Sequence, residues 1–252
     1  KTTGPELNNG GLNNVPVSLT ADQTLTLGAN SSPDGSLTVT SGTFDLSTST
    51  INRSASGGTL SVSNGAFLRI GGTNPVPTNY TTRTFGASST VEYYGGAQNI
   101  ATETFGHLYI SAGTKTTTGT VSIAGNFTCD NGATVNTSNS WSPAGDWTVD
   151  GTFNQTGGTT TFSTGVTHTI SGTGYSQFNA LTTSSSTINA GSHDIRISGN
   201  WTHGSSGSFN PQTSTVTFNG SGAQTQPSTT FVPDFYNLLI NKSGGSLSSR
   251  VW

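Results

Sequence analysis

Apolar residues in this chain recur at every second position, in short runs, and almost never at every third or fourth. The stretches SLTVTSGTFDLS from Ser36, TLSVSNGAFLRIGG from Thr59 and VSIAGNFTC from Val121 set apolar side chains between Thr, Ser or other small neighbours. A period of two belongs to a β-strand with one face on a core and the other in water. Between the runs stand Gly, Asn and Ser, which supply turn conformations and tolerate positive φ. No segment holds apolar residues at i, i+3, i+4 and i+7 over several turns, so the pattern predicts strands throughout and no long helix.

The runs also repeat at long range. TVEY ending at Tyr93, TTTF ending at Phe162 and TVTF ending at Phe218 align with one another. They lead to GAQNI, VTHTI and GAQTQ, then to TFGHLYI, QFNALTT and DFYNLLI, anchored on Phe105, Phe178 and Phe235. The related strings AGNFT at Ala124, AGDWT at Ala144 and SGNWT at Ser198 lie between them. The intervals from Phe162 to Phe218 and from Phe178 to Phe235 are both about 56 residues. Those from Tyr93 to Phe162 and from Phe105 to Phe178 are longer, at about 70 residues. The excess falls where Gly125 and Gly145, about 20 residues apart, open two such strings in tandem. A fold that absorbs one whole extra unit grows in one dimension, each layer touching only its neighbours.

These spacings predict an all-β chain folded as a parallel β-helix, or β-solenoid, with rungs of roughly 18–24 residues and roughly twelve rungs in a rod about 55 Å long. The whole of 1–252 forms one elongated unit, with an internal repeat of about 56 residues over 89–158, 159–213 and 214–252 and a related segment at 15–88. Asn126 and Asn200, in the G-N-aromatic-T strings, are expected to form side-chain ladders between rungs. The middle copy lacks the Gly-Ala-Gln element, so its turn is expected to be rebuilt. A set of β-sandwich repeats is the alternative, because antiparallel strands give the same alternation. The scarcity of two-residue Asn-Gly turns between matched runs speaks against it.

Composition sharpens this picture. Charged residues are only 8% and hydrophobic residues 29%, too few to fill a thick globular core, yet four Trp and twelve Phe argue against a disordered chain. A thin core stacked along a rod satisfies both facts. The net charge of −3 leaves no basic footprint for nucleic acid, and no apolar stretch is long enough to span a membrane as a helix. Neither Met nor a signal peptide is present, which fits a sequence that begins after processing or belongs to a longer chain. The single Cys129 permits no intrachain disulfide and reads as a small buried residue. A Ser/Thr/Asn/Gly-rich, Lys-poor chain points to an extracellular or cell-surface location.

At the level of STVEYYGGAQNI…FGHLYISAGTKTTTGTVSIAGNFT and STVTFNGSGAQTQ…FYNLLINKSGG, the chain resembles the very large, repeat-rich secreted surface proteins of Gram-negative bacteria, adhesin- or filament-like exoproteins. The resemblance spans roughly Leu37 to Gly245 and rests on turn glycines and stacking aromatics. It implies export, a surface location and an extended parallel β architecture, and it carries over no catalytic residue.

Candidate chemistry is sparse. The eleven acids are scattered, with Asp146 and Asp150 the nearest pair of like parity, and Asp130 and Asp150 one rung apart as a weak calcium candidate. His107, His168, His193 and His203 show no metal-type spacing, and the adjacent Asp194 gives His193 only a generic catalytic look. Thr-x-Thr pairs at Thr38–Thr40, Thr116–Thr118, Thr159–Thr161 and Thr167–Thr169 come too irregularly to match an ice lattice. Trp141, Trp147 and Trp201 are either sugar-stacking platforms or core. No enzyme activity, cofactor or metal is therefore expected. The two ends of the sequence look complementary in repeat phase, which suggests head-to-tail stacking into a homopolymeric filament or surface fibre. The expected joint packs Phe235, Leu238, Ile240, Val251 and Trp252 of one copy on Val15, Val17, Leu19, Leu25 and Leu27 of the next. A segment of a giant adhesin is the second expectation, and a carbohydrate-binding or carbohydrate-active β-helix, with surface glycans as partner, the third.

Overall fold

A computed structural model describes residues 2–3, 14–162, 165–204, 207–226 and 233–248. The chain winds into a parallel β-solenoid of about 11 turns, one fewer than the sequence suggests, with no helix among the described residues. Three faces run along it. The first is an 11-stranded sheet from Thr2–Thr3 through Thr24–Leu27, Thr90–Tyr93, His107–Ile110 and Phe127–Cys129 to Ser208–Asn210. The second is an eight-stranded sheet from Gln98–Ile100 to Asn237–Ile240. The third begins as four strands, Asn14–Ser18 to Tyr80–Phe85, and continues as six, Thr104–Phe105 to Trp201–His203. The two parts of the third face meet where the rings of Phe85 and Phe105 lie 5.2 Å apart and Arg83 pairs with Glu103 at 2.5 Å.

Below residue 98 the described residues of the second face are loop, crossed among them by one isolated parallel bridge, between Ser31 and Ile51. The sequence explains the gap: Pro75 and Pro77 in GGTNPVPTN cannot donate to a ladder. Asn74 instead donates from its side chain to the carbonyls of Thr48 and Ser49 one turn below.

Rung length varies along the rod, from about 17 residues where Val91 faces Leu108 to about 24 where Phe44 faces Leu68. Phe127 faces Trp147 and Val121 faces Trp141, so the tandem G-N-F-T and G-D-W-T strings occupy one full turn. The core is a column of rings. Phe127 and Trp147 are 4.3 Å apart, Trp147 and Phe153 4.7 Å, and Trp201 and Phe209 4.9 Å. Packing rings against one another within and between rungs lets few apolar residues exclude water.

The repeat copies are not superposed in space. TVEY lies on the first face, TTTF on the third and TVTF on the second. At about 21 residues per turn, about 56 residues make about two and two-thirds turns and the longer interval of about 70 residues about one turn more, so each copy starts one face away from the last. Within each copy the local order is nevertheless constant. One turn after each run, HLYI, ALTT or NLLI lies on it in identical register: Val91 under Leu108, Thr160 under Leu181, Val216 under Leu238.

Asn126 and Asn200 do hold neighbouring rungs together, but not through a side-chain ladder. The Asn126 Oδ1 accepts from the backbone N–H of Asp146 at 2.9 Å, and the Asn200 Oδ1 from that of Thr225 at 2.9 Å. Side-chain ladders occur elsewhere, between Asn136 and Asn154 at 3.2 Å and between Asn189 and Asn210 at 2.8 Å.

Candidate functional site

The described exposed large hydrophobics are Phe67, Val166, Tyr236, Leu239 and Ile240, and three of these five fall within one strand and its lead-in. That strand, Asn237–Ile240, is the last of the second face. Leu238 and Ile240 continue two inward columns, over Val216 and Phe218, both fully buried. Ile240 is 56% exposed because no described strand of the sheet lies above it. Its counterpart in the first copy, Ile110, is buried. Covering an Ile of this kind is worth about 1.5–3 kcal/mol. In a parallel ladder the strand also offers alternate N–H and C=O groups on its uncovered side.

The lead-in is fixed from below. Phe235 packs on Trp201, Phe209 and Phe218 with centroid distances of 6.0, 6.2 and 6.5 Å. Lys242 Nζ reaches the Gly220 carbonyl at 3.2 Å, the Gly222 carbonyl at 2.8 Å and the Gln224 Oε1 at 2.6 Å. The first copy clamps the equivalent turn with a lysine from a different position. Lys115 is fully buried and donates to the carbonyls of Gly95, Gly96 and Ala112 at 2.8, 2.9 and 2.7 Å. Burial pulls its pKa down to about 8, while three acceptors hold the proton at neutral pH. Gln98 and Gln224 stitch the Gly-Ala-Gln turns to the rung below, through Nε2 to the Asn74 carbonyl at 2.9 Å and the Ile197 carbonyl at 2.8 Å. In the middle copy His168, buried, takes the glutamine's place and meets the Gly145 carbonyl at 2.7 Å.

On the other half of the expected joint the side chains point into the core, while Asn14–Ser18 is the outer described strand of its sheet. Val15, Val17 and Leu27 are 4, 2 and 2% exposed within the chain itself, and Leu19 and Leu25 pack against the core. Phe235 and Leu238 are partly buried, and Val251 and Trp252 lie outside the described residues.

Elsewhere side chains pair with one another across the rungs. On the outer first face Arg69 bridges Asp45 at 3.2 Å and Glu92 at 2.6 Å, and its guanidinium covers the Tyr94 ring at 4.6 Å. Tyr94 donates to Asp45 at 2.7 Å, and its pKa is pushed up to about 12 by burial and by that carboxylate. Asp45, Arg69 and Glu92 are spaced by one rung each, a signal visible only after the rungs are aligned. Ser176 and His193 form a hydroxyl–imidazole pair at 2.9 Å, but both are fully buried. Asp130 accepts from Tyr109, and Asp150 from the Thr173 N–H at 2.8 Å. No group of three His, Cys, Asp or Glu suited to a metal occurs among the described residues. Trp141, Trp147 and Trp201 are at most 1% exposed, which removes them as sugar platforms. Cys129 is buried, with its thiol pKa pushed up to about 12. The Thr-x-Thr pairs fall on all three faces rather than in one rank.

No family model, no curated protein and no solved structure matches this chain.

Proposed function

We propose that this protein is a non-enzymatic structural element of an extracellular fibre, a solenoid section to which further rungs are added at the Asn237–Ile240 edge. The observation that carries this reading is the abrupt exposure of Ile240 at the top of a column that is fully buried in the rungs beneath it, at Phe218, Ile197 and Phe178. An apolar strand edge of this kind recruits another strand. The Ser176–His193 pair is sealed from solvent.

The added rungs come either from a second copy stacked head to tail, giving a homopolymeric filament, or from further solenoid of a surface adhesin. Thr2–Thr3 already pairs with Thr24–Leu27, which favours the second source, because a copy docking on that strand would first have to displace it. Sedimentation velocity with electron microscopy of the purified chain separates the two. Fibres with an axial repeat of about 50 Å indicate self-stacking, and isolated rods of that length indicate a section of a longer array. Compact particles of neither kind contradict the structural reading.

A further inference from the structure

The order of strands within each copy specifies what lies on the Asn237–Ile240 edge. In the first copy TVEY is covered by HLYI, and HLYI by the strand of the G-N-F-T string: Leu108 faces Phe127 and Ile110 faces Cys129. In the second copy TTTF is covered by ALTT, and ALTT by the strand of the G-N-W-T string: Leu181 faces Trp201 and Thr183 faces His203. These two stacks stand on different faces, the first and the third, so the order belongs to the strands and not to their surroundings. The backbone contacts agree as well. Leu108 donates its N–H to the Asn126 carbonyl and Leu181 to the Asn200 carbonyl, both at 3.0 Å. The preceding glycines donate down, Gly125 to the Gly106 carbonyl at 2.8 Å and Gly199 to the Asn179 carbonyl at 2.5 Å. Neither glycine has room for a side chain: a Cβ at Gly125 would fall 2.5 Å from His107 Nδ1, and one at Gly199 would collide with the Asn179 carbonyl oxygen.

In the third copy TVTF is covered by NLLI in the same register, and no described strand supplies the next layer. We infer that the Asn237–Ile240 edge is a docking site for a parallel strand of the form Gly-(Asn or Asp)-(Phe or Trp)-Thr, seated with its aromatic ring over Leu238 and its glycine against the Tyr236 carbonyl. This rests on the reading of the edge as the place where rungs are added, and it names the partner's chemistry. The partner is a further solenoid rung and not a second copy joined through its first rungs, because Asn14–Ser18 and Thr24–Leu27 contain no aromatic residue.

The test adds the missing strand to the full chain. Appending the sequence of residues 122–129 after Trp252 puts a phenylalanine as far beyond Leu238 as Trp201 lies beyond Leu181. A second version replaces residues 241–252 with the sequence of residues 111–130, reproducing the first copy's own connection. Hydrogen exchange at the Leu238 amide is then compared with the unextended chain, with a Phe→Ser version of each extension as control. The expected result is exchange slowed at least about tenfold by an aromatic extension and restored towards the free rate by serine. No slowing in either version, or equal slowing by serine, overturns the inference. Protection of Leu238 in the unextended chain that grows with protein concentration overturns it too, since a second copy would then fill the edge. That last outcome leaves the structural reading standing, whereas compact particles would remove it, so the two failures are distinct.

Discussion

Lys115 and His193 show how buried polar side chains are accommodated in so thin a core. Lys115 spends all three ammonium protons on carbonyls of the Gly95–Gly96 turn and of Ala112. Replacing it with methionine leaves those acceptors unpaired, and Lys115→Met is expected to cost about 2 kcal/mol in urea denaturation. Nothing in the alternation marks this lysine: it sits among threonines in TKTTT and reads as solvent-facing. Only the structure shows that it, like Lys242, reaches down to a Gly-rich turn one rung below. His193 is held neutral by burial, which lowers its pKa, although the Gly172 carbonyl and Asp194 partly oppose this. With Nδ1 3.0 Å from the Gly172 carbonyl, the proton sits on Nδ1, and Nε2 accepts from Ser176, which in turn accepts from Trp147. The unfolded imidazole binds its proton as pH falls below about 6.5, while the folded one resists until lower pH. The contribution is therefore complete above that value and is lost on further acidification. Urea midpoints at pH 7.5 and 5 are expected to differ more for the native chain than for His193→Gln; equal differences would contradict the assignment.

At the scale of the strand and its turn, the G-(N/D)-aromatic-T string is the working unit, and its parts are separable by mutation. The glycine is required by closeness, since a Cβ at Gly145 would collide with the Gly125 carbonyl oxygen. Gly145→Ala is expected to cost about 2 kcal/mol or more, read as a lower thermal midpoint. The Asn or Asp pegs the next rung, as Asp146 does through Oδ1 to the Thr169 N–H at 2.8 Å. Asn126→Ala is accordingly expected to cost about 1 kcal/mol. The aromatic is core: Trp147 touches Phe127, Phe153, Phe162 and Phe178, and Trp147→Ala is expected to cost about 3–5 kcal/mol. The string was legible from three copies at one repeat position, which left its aromatic as either core or sugar platform until its burial was seen. The peg's partner was not, because which turn N–H lies over an Asn oxygen depends on where the neighbouring rung bends, and the alternation fixes only the strands.

For the molecule as a whole, the short period and the inserted turn were readable from Gly125 and Gly145, and with them the solenoid. The stepwise rotation of the copies around three faces was not, because the repeat becomes a fraction of a turn only once each rung's length is known. Nor did the sequence disclose that the side chains of Val15, Val17 and Leu27 are buried at one end while Ile240 is open at the other, since alternation marks them all as inward. Three strands set in the same register on the run below differ in whether a described rung lies above them, and residue-resolved hydrogen exchange on the dilute, unextended chain tests this directly. Slow exchange at the Leu108 and Leu181 amides with fast exchange at Leu238 is the predicted result; a Leu238 amide as slow as the other two would contradict it.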